Sequence, residues 1–213
     1  ALSFGAIGSV IGHEITHGFD SSGRKYDGDG NLNDWWTKTD SDSFEKRADI
    51  LVKQYDSYEL FGQHVNGKLT LTENIADLGG VSISLGAFKK WMETHKDYKA
   101  PKSVFNERER FFQSFALSWG RLNREELMKQ LLLLDNHSPY QFRVNGVLSN
   151  IPEFYELYNV SRGDKMYIEP QSRVNLWSLE NQEQRHELYP NSDVSFGMNF
   201  YAIIAMLLLA SAL

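Results

Sequence analysis

The chain has no cysteine among its 213 residues, which excludes a disulfide framework and any thiolate metal site but leaves the compartment open. Positive charge is not in excess either. Lys and Arg number 22 against 28 Asp and Glu, a net charge of −6, which argues against a nucleic-acid partner. No internal repeat or low-complexity tract appears. The opening "ALSFGAIGSVIGHE" lacks the basic segment of a signal peptide, and a chain that starts so near its most chemical stretch is expected to be a fragment or an excised domain. The apolar run "FYAIIAMLLLASAL" (200–213) stops at 14 residues, where a bilayer-spanning helix needs roughly 20. It reads as a tail without a catalytic part.

What is present is ordinary globular composition, 41% hydrophobic and 23% charged, in a length that suits one substantial domain or two small ones. Residues 2–18 read as a helix whose broad apolar surface holds Leu2, Ala6, Ile7, Val10, Ile11 and Ile15. A Gly- and Asp-rich loop spans 20–36, and helical spacing returns over 37–59 with Phe44, Ala48, Leu51, Val52 and Tyr55 on one side. Alternation around Asn66-Gly67 predicts a hairpin over 62–71. A long helix is expected from about residue 72, capped by Thr72, and two more fit 106–119 and 123–135. The stretch 137–150 reads as turn, strand, turn, and Pro152 opens a short helix over 152–158. The fold class is therefore mainly α with small β elements (α+β).

The stretch "VIGHEITHGFD" (10–20) carries the chemistry. Residues four apart lie on one face of a helix, so His13 and His17 can aim both imidazoles at one point, as a zinc ion requires. Glu14 lies about 100° around the helix, beside such an ion rather than on it, where its carboxylate can take a proton from an activated water. The bland alternative is a helix that carries these residues by chance, on the order of 1% for a chain of this length. A third ligand is sought in "ENIAD" (73–77), which places Glu73 and Asp77 on one face of another helix. One carboxylate can bind the metal while the other holds a ligand histidine from behind, and Asp20 can serve His17 in that second way. By themselves, Glu73 and Asp77 are more often acids complementing a helix N-terminus.

"VIGHEITHGFD", followed about 55 residues later by "ENIADLGG", resembles the neprilysin family of zinc metallopeptidases, which includes endothelin-converting enzyme and bacterial oligopeptidases. The similarity continues through "GNLNDWW" (30–36), "LDNHSPYQFRVNGVLSNIPEF" (134–154) and "SRVNLW" (172–177). The resemblance implies a thermolysin-like zinc peptidase catalytic domain over 1–177, with a C-terminal extension over 178–213. It implies one zinc ion per chain held by His13, His17 and Glu73, with Glu14 as general base. Asp20 and Asp77 are then the carboxylates that orient His17 and His13. His137 stabilises the oxyanion, Asp135 positions His137, and Arg143 grips substrate on the primed side. Read without the family, His137 before Ser-Pro is a turn residue and Arg143 a solvated strand-edge charge.

The implied activity is internal cleavage of oligopeptides by a zinc-activated water, beside a hydrophobic primed-side residue. Family members are much longer, so the preceding helical domain, or another chain, is an expected partner beside peptide substrates. An extracellular or cell-surface setting is favoured, with the bacterial cytoplasm as the alternative, and Ser172 near the position of a cysteine in many animal members suits a bacterial-type or otherwise cysteine-free relative. Asn136 and Asn159 stand in N-x-S sequons. Two other readings remain: an incomplete fragment that binds zinc or peptide without cleaving, and a membrane-anchored interaction module led by the apolar tail.

Overall fold

A computed structural model of the chain describes residues 1–177. The extension expected over 178–213, with its apolar run, lies outside the described residues. Asn175 begins a second unit, and Ala1–Val174 form the first. Among the residues of the first are seven α-helices and one two-stranded hairpin, so the fold is mainly α with a small β element. No helix of the described residues is long and apolar enough to cross a membrane.

The first helical run begins with a π-helical turn at Phe4–Gly8, continues as α1 (Ser9–Thr16) and tightens into a 3-10 turn at His17–Phe19. A helix was expected here, but its buried face is not the apolar one. Gly5, Ser9, Gly12, His13 and Thr16 face inward, whereas Ile7 is 58% exposed and Leu2, Val10 and Ile11 also face out. The reason is the approach of α3 (Leu71–Thr94), against which α1 packs at backbone distance. A Cβ on Gly80 would sit 2.5 Å from the Ser9 carbonyl oxygen, and one on Gly12 only 2.8 Å from the Gly80 oxygen. Bulky side chains have no room on that face, so small residues occupy it and the apolar ones turn outward.

Helix α2 (Lys38–Asp56) opens on Thr37, whose hydroxyl accepts from the Asp40 N–H at 3.1 Å, and buries Phe44, Ala48, Leu51 and Tyr55. The hairpin β1 (Glu59–Leu60) and β2 (Gln63–His64) turns at Phe61-Gly62, not at Asn66-Gly67 as expected. Phe61 and Gly62 both hold positive φ, 53° and 75°, as a tight two-residue hairpin turn demands. Asn66 and Gly67 instead lead into α3: the Asn66 side chain accepts from the Leu69 N–H, and the Gly67 N–H donates to Asp56. The N-cap of α3 is Thr70 rather than Thr72, which lies one residue inside the helix. Every residue from Glu73 to Val81 is buried, so α3 is the central helix of the unit.

Helices α4 (Glu107–Ser118) and α5 (Glu125–Leu134) fall close to expectation, α4 with a full capping box between Asn106 and Glu109. The expected strand within 137–150 is instead α6 (Tyr140–Leu148), followed by α7 (Pro152–Tyr158) with Pro at its first position. Apolar Phe142 and Val144 mimic a strand alternation. The helical pairing wins because it lays Phe142 and Gly146 together against α2, where the Tyr55 hydroxyl donates to the Phe142 carbonyl at 3.2 Å. A Cβ on Gly146 would stand 2.7 Å from that same hydroxyl. Phe88, Phe111 and Phe112 are fully buried, each stabilising the fold by about 2–3 kcal/mol.

Candidate metal centre

Four segments meet at one point: α1 with His13, the turn that follows it with His17, the first turn of α3 with Glu73, and the loop before α6 with His137. The i, i+4 spacing on one helical run brings the His13 and His17 Nε2 atoms to 3.0 Å of one another. Glu73 Oε2 faces both, 3.3 Å from His13 Nε2 and 3.7 Å from His17 Nε2.

The opposite edge of each ring is tied down. His13 Nδ1 donates to Asp77 Oδ1 at 2.8 Å, and His17 Nδ1 donates to Asp20 Oδ2 at 2.7 Å. Asp77 is buried, and so is Asp20, whose other oxygen accepts from the backbone N–H groups of Ser22 and Gly23. A carboxylate only accepts, so both protons of the neutral rings sit on Nδ1 and both Nε2 atoms carry lone pairs. When both rings are neutral, two lone pairs and a carboxylate oxygen therefore converge, with no donor among the three atoms. Glu73 Oε2 is buried without a hydrogen-bond partner. Such an arrangement calls for a cation. Donors about 2.0–2.1 Å from a tetrahedral zinc lie about 3.3 Å from one another, and the three separations bracket that value. The set of two imidazoles and one carboxylate suits zinc.

The electrostatics of the site agree. Burial pulls the His13 pKa down, but the bond to Asp77 and the facing Glu73 carboxylate outweigh it and raise the value to about 9. Burial likewise pushes Glu73 up, yet the imidazoles of His13, His137 and His17 hold it below its ordinary value. The site attracts positive charge, whether a proton or a metal ion.

The remaining expected residues stand around this triangle. Glu14 is exposed and lines a cavity of about 170 Å³ together with His13, Trp119, His137 and Arg143. His137 Nε2 lies 3.2 Å from Glu73 Oε2, and its Nδ1 is held by Asp135 Oδ1 at 2.8 Å. Arg143 is buried on α6, not a solvated strand-edge charge. It grips Asp77 through Nε at 2.7 Å and Nη2 at 2.8 Å, and its guanidinium lies 3.8 Å over the Trp119 ring.

Three contributors went unseen in the sequence. Asn136 donates to Glu73 Oε1 at 3.3 Å, which leaves Oε2 as the atom presented to the imidazoles. Ser138 donates to the buried Asn74 at 2.7 Å and fastens the His137 loop onto α3. Trp119 supplies the surface beneath Arg143. Asn136 carried a sequon signal only, and nothing local marked Trp119 or Ser138.

The family model described as Peptidase family M13 matches residues 1–174. Neprilysin-1 of Caenorhabditis elegans is 44% identical over 183 residues, covering 83% of this chain and 24% of its own length. Endothelin-converting enzyme 1 of Homo sapiens is 39% identical, covering 83% and 23%. Among solved structures, the zinc metalloprotease ZMP1 of Mycobacterium tuberculosis superposes with a TM-score of 0.75 at 40% identity, covering 83% of this chain and 28% of that one. The chain thus spans about a quarter of the length of the curated relatives it matches.

Proposed function

The chain belongs to peptidase family M13, and on that premise we propose that it carries the catalytic centre of a zinc-dependent endopeptidase acting on oligopeptides. The observation that carries the proposal is the convergence of His13 Nε2, His17 Nε2 and the unpartnered Glu73 Oε2, with both Nδ1 protons committed to Asp77 and Asp20. These three residues would hold one zinc ion. Bound there, zinc would supply Lewis acidity toward a peptide carbonyl and a water molecule.

The chain's own residues do the rest. Glu14, on the wall of the cavity that His13 and His137 share, accepts the proton of the attacking water and passes it to the leaving amine. His137 carries its proton on Nδ1 toward Asp135 when neutral; as an imidazolium it also donates from Nε2, which lies 3.2 Å from Glu73 Oε2, and it is the group we assign to stabilising the oxyanion. Asp135 fixes the orientation of that ring. Asp20 and Asp77 keep the ligand imidazoles from rotating and raise their basicity. Arg143 lines the same cavity and contributes to the primed side.

Apolar surface contributed by Leu2, Ile7, Val10 and Ile11 is exposed on the ligand-bearing helical run. We assign it to contact with the preceding part of a longer chain, or with another chain. An extracellular or cell-surface setting follows the family resemblance, and the bacterial cytoplasm is the other setting to be tested.

The test is hydrolysis of a quenched hydrophobic oligopeptide by the purified chain in zinc, beside Glu14→Gln. Cleavage by the wild type that falls by about 10²–10⁴ in the variant, with zinc binding kept, is the expected result. A folded, zinc-loaded wild type that leaves the peptide intact would favour the second reading, a centre that binds zinc or peptide without turnover.

A further inference from the structure

We propose that Trp119 and Arg143 are positioning residues for the metal centre: stacked on one another, they brace Asp77 and through it fix the imidazole of His13. The inference rests on the zinc reading of His13, His17 and Glu73 and adds what controls it.

The brace joins four elements. Asp77 Oδ1 is shared between His13 Nδ1 and Arg143 Nη2, each at 2.8 Å, and Oδ2 takes Arg143 Nε at 2.7 Å. With His13 alone as partner, the carboxylate would turn about its terminal bond and carry the ring with it. The two parallel bonds from a planar guanidinium remove that freedom, because a bidentate fork sets the plane as well as the distance. The buried Asp77 also needs its charge compensated, and Arg143, itself buried, supplies the compensation.

Arg143 in turn is held from its face. Its central carbon lies 3.8 Å above the Trp119 ring, a stacked cation–π contact. Trp119 is the C-cap of α4, its backbone N–H bonded to the Ala116 and Leu117 carbonyls, so the indole is anchored to the end of a helix rather than to a free loop. The Nε–Nη2 edge of Arg143 is committed to Asp77, and a grip on substrate therefore falls to Nη1. Trp119 and Arg143 also wall the cavity beside Glu14. One pair of side chains thus shapes the peptide-facing cavity and orients a metal ligand.

The experiment compares the full chain with three variants that preserve charge at the brace. Arg143→Lys keeps the cation and loses the fork, Trp119→Leu removes the ring, and Trp119→Phe restores a ring face. Zinc affinity is read by competition with a chromophoric chelator, and ligand geometry by the visible d–d band of the cobalt-substituted chain. Expected are zinc affinities lower by about tenfold or more for Arg143→Lys and Trp119→Leu, with an altered cobalt band, because partners behind a ligand histidine carry that much. Trp119→Phe is expected to stay close to wild type in both readouts. Wild-type affinity and an unchanged cobalt band in all three variants would overturn the proposal, and Trp119→Phe as weak as Trp119→Leu would remove Trp119 from it. If Trp119→Leu does not fold, Arg143→Lys carries the decision alone. A wild type that takes up no zinc overturns the zinc reading itself, which is a different result from variants that all bind alike.

Discussion

Gly80→Ala is the substitution that probes most directly how the fold builds the proposed metal centre. A methyl group at Gly80 would stand 2.5 Å from the Ser9 carbonyl oxygen, 2.8 Å from the His13 nitrogen and 3.1 Å from the His13 Cα. Ordinary contact begins near 3.4 Å, so α1 would have to retreat from α3 by nearly an ångström, and the nearest obstacles are backbone atoms that no side-chain rotation can clear. Overpacking of this kind costs about 1–3 kcal/mol, while Ala in a helix interior returns about 1 kcal/mol over Gly; with backbone on both sides the loss lies at the upper end, and the net is about 2 kcal/mol. The same retreat moves His13 away from Glu73 and Asp77. Metal ligands must be held to within about 0.5 Å, so zinc affinity should fall by tenfold or more. Urea unfolding of the metal-free chain reads the first effect and chelator competition the second. Gly18→Ala, where nothing lies within 4 Å of the added methyl, is the control and should lose nothing. A Gly80→Ala chain as stable as wild type, with wild-type zinc affinity, would refute the claim that backbone contact between α1 and α3 sets the site.

The metal-free chain should also respond to pH through His13, whose value of about 9 lies above the ordinary 6.5. A raised imidazole value stabilises the fold fully below about pH 6.5 and loses that contribution as pH rises through about 9, so urea midpoints measured in chelator should fall over that window, and a flat profile would contradict the assignment. Zinc must displace the same proton, so its affinity should climb with pH over the same interval. Asn106→Ala removes the capping box of α4 and should cost about 1 kcal/mol in urea unfolding with zinc affinity unchanged.

The parts of the site that one helical turn determines were legible in the sequence. His13 with His17, and Glu73 with Asp77, are i, i+4 pairs, and once the segments are helical their convergence follows from geometry. What α1 buries was not legible. The apolar residues Leu2, Ile7, Val10 and Ile11 suggested a core face, but Gly12 and Gly80 trade side-chain burial for backbone contact, and a hydrophobic pattern does not register that trade. The hairpin turn was displaced for a similar reason: Asn66-Gly67 has the right chemistry, yet Asp56 captures the Gly67 N–H and the positive φ values fall at Phe61 and Gly62. In 137–150, Phe142 and Val144 imitate a strand until Tyr55, 87 residues away, selects the helical arrangement.

His137 and Arg143 show the limit more sharply. Residue by residue they read as a turn histidine and a solvated charge, and the family resemblance alone singled them out. Their partners explain why. Glu73 lies 3.2 Å from His137, and Asp77 and Trp119 enclose Arg143, all distant in the chain and invisible to any local pattern. Asn136 and Ser138, flanking His137, escaped notice because their partners Glu73 and Asn74 are 63 and 64 residues away.

The central claim is that His13, His17 and Glu73 form a zinc centre, and X-ray absorption on the zinc-titrated chain addresses it most directly. The expected result is one zinc per chain, bound by two imidazole nitrogens and a carboxylate oxygen at about 2.0–2.2 Å, with stoichiometric binding lost in Glu73→Ala. A chain that binds no zinc, or one whose metal shell holds a third imidazole from His137 and survives Glu73→Ala, would contradict it.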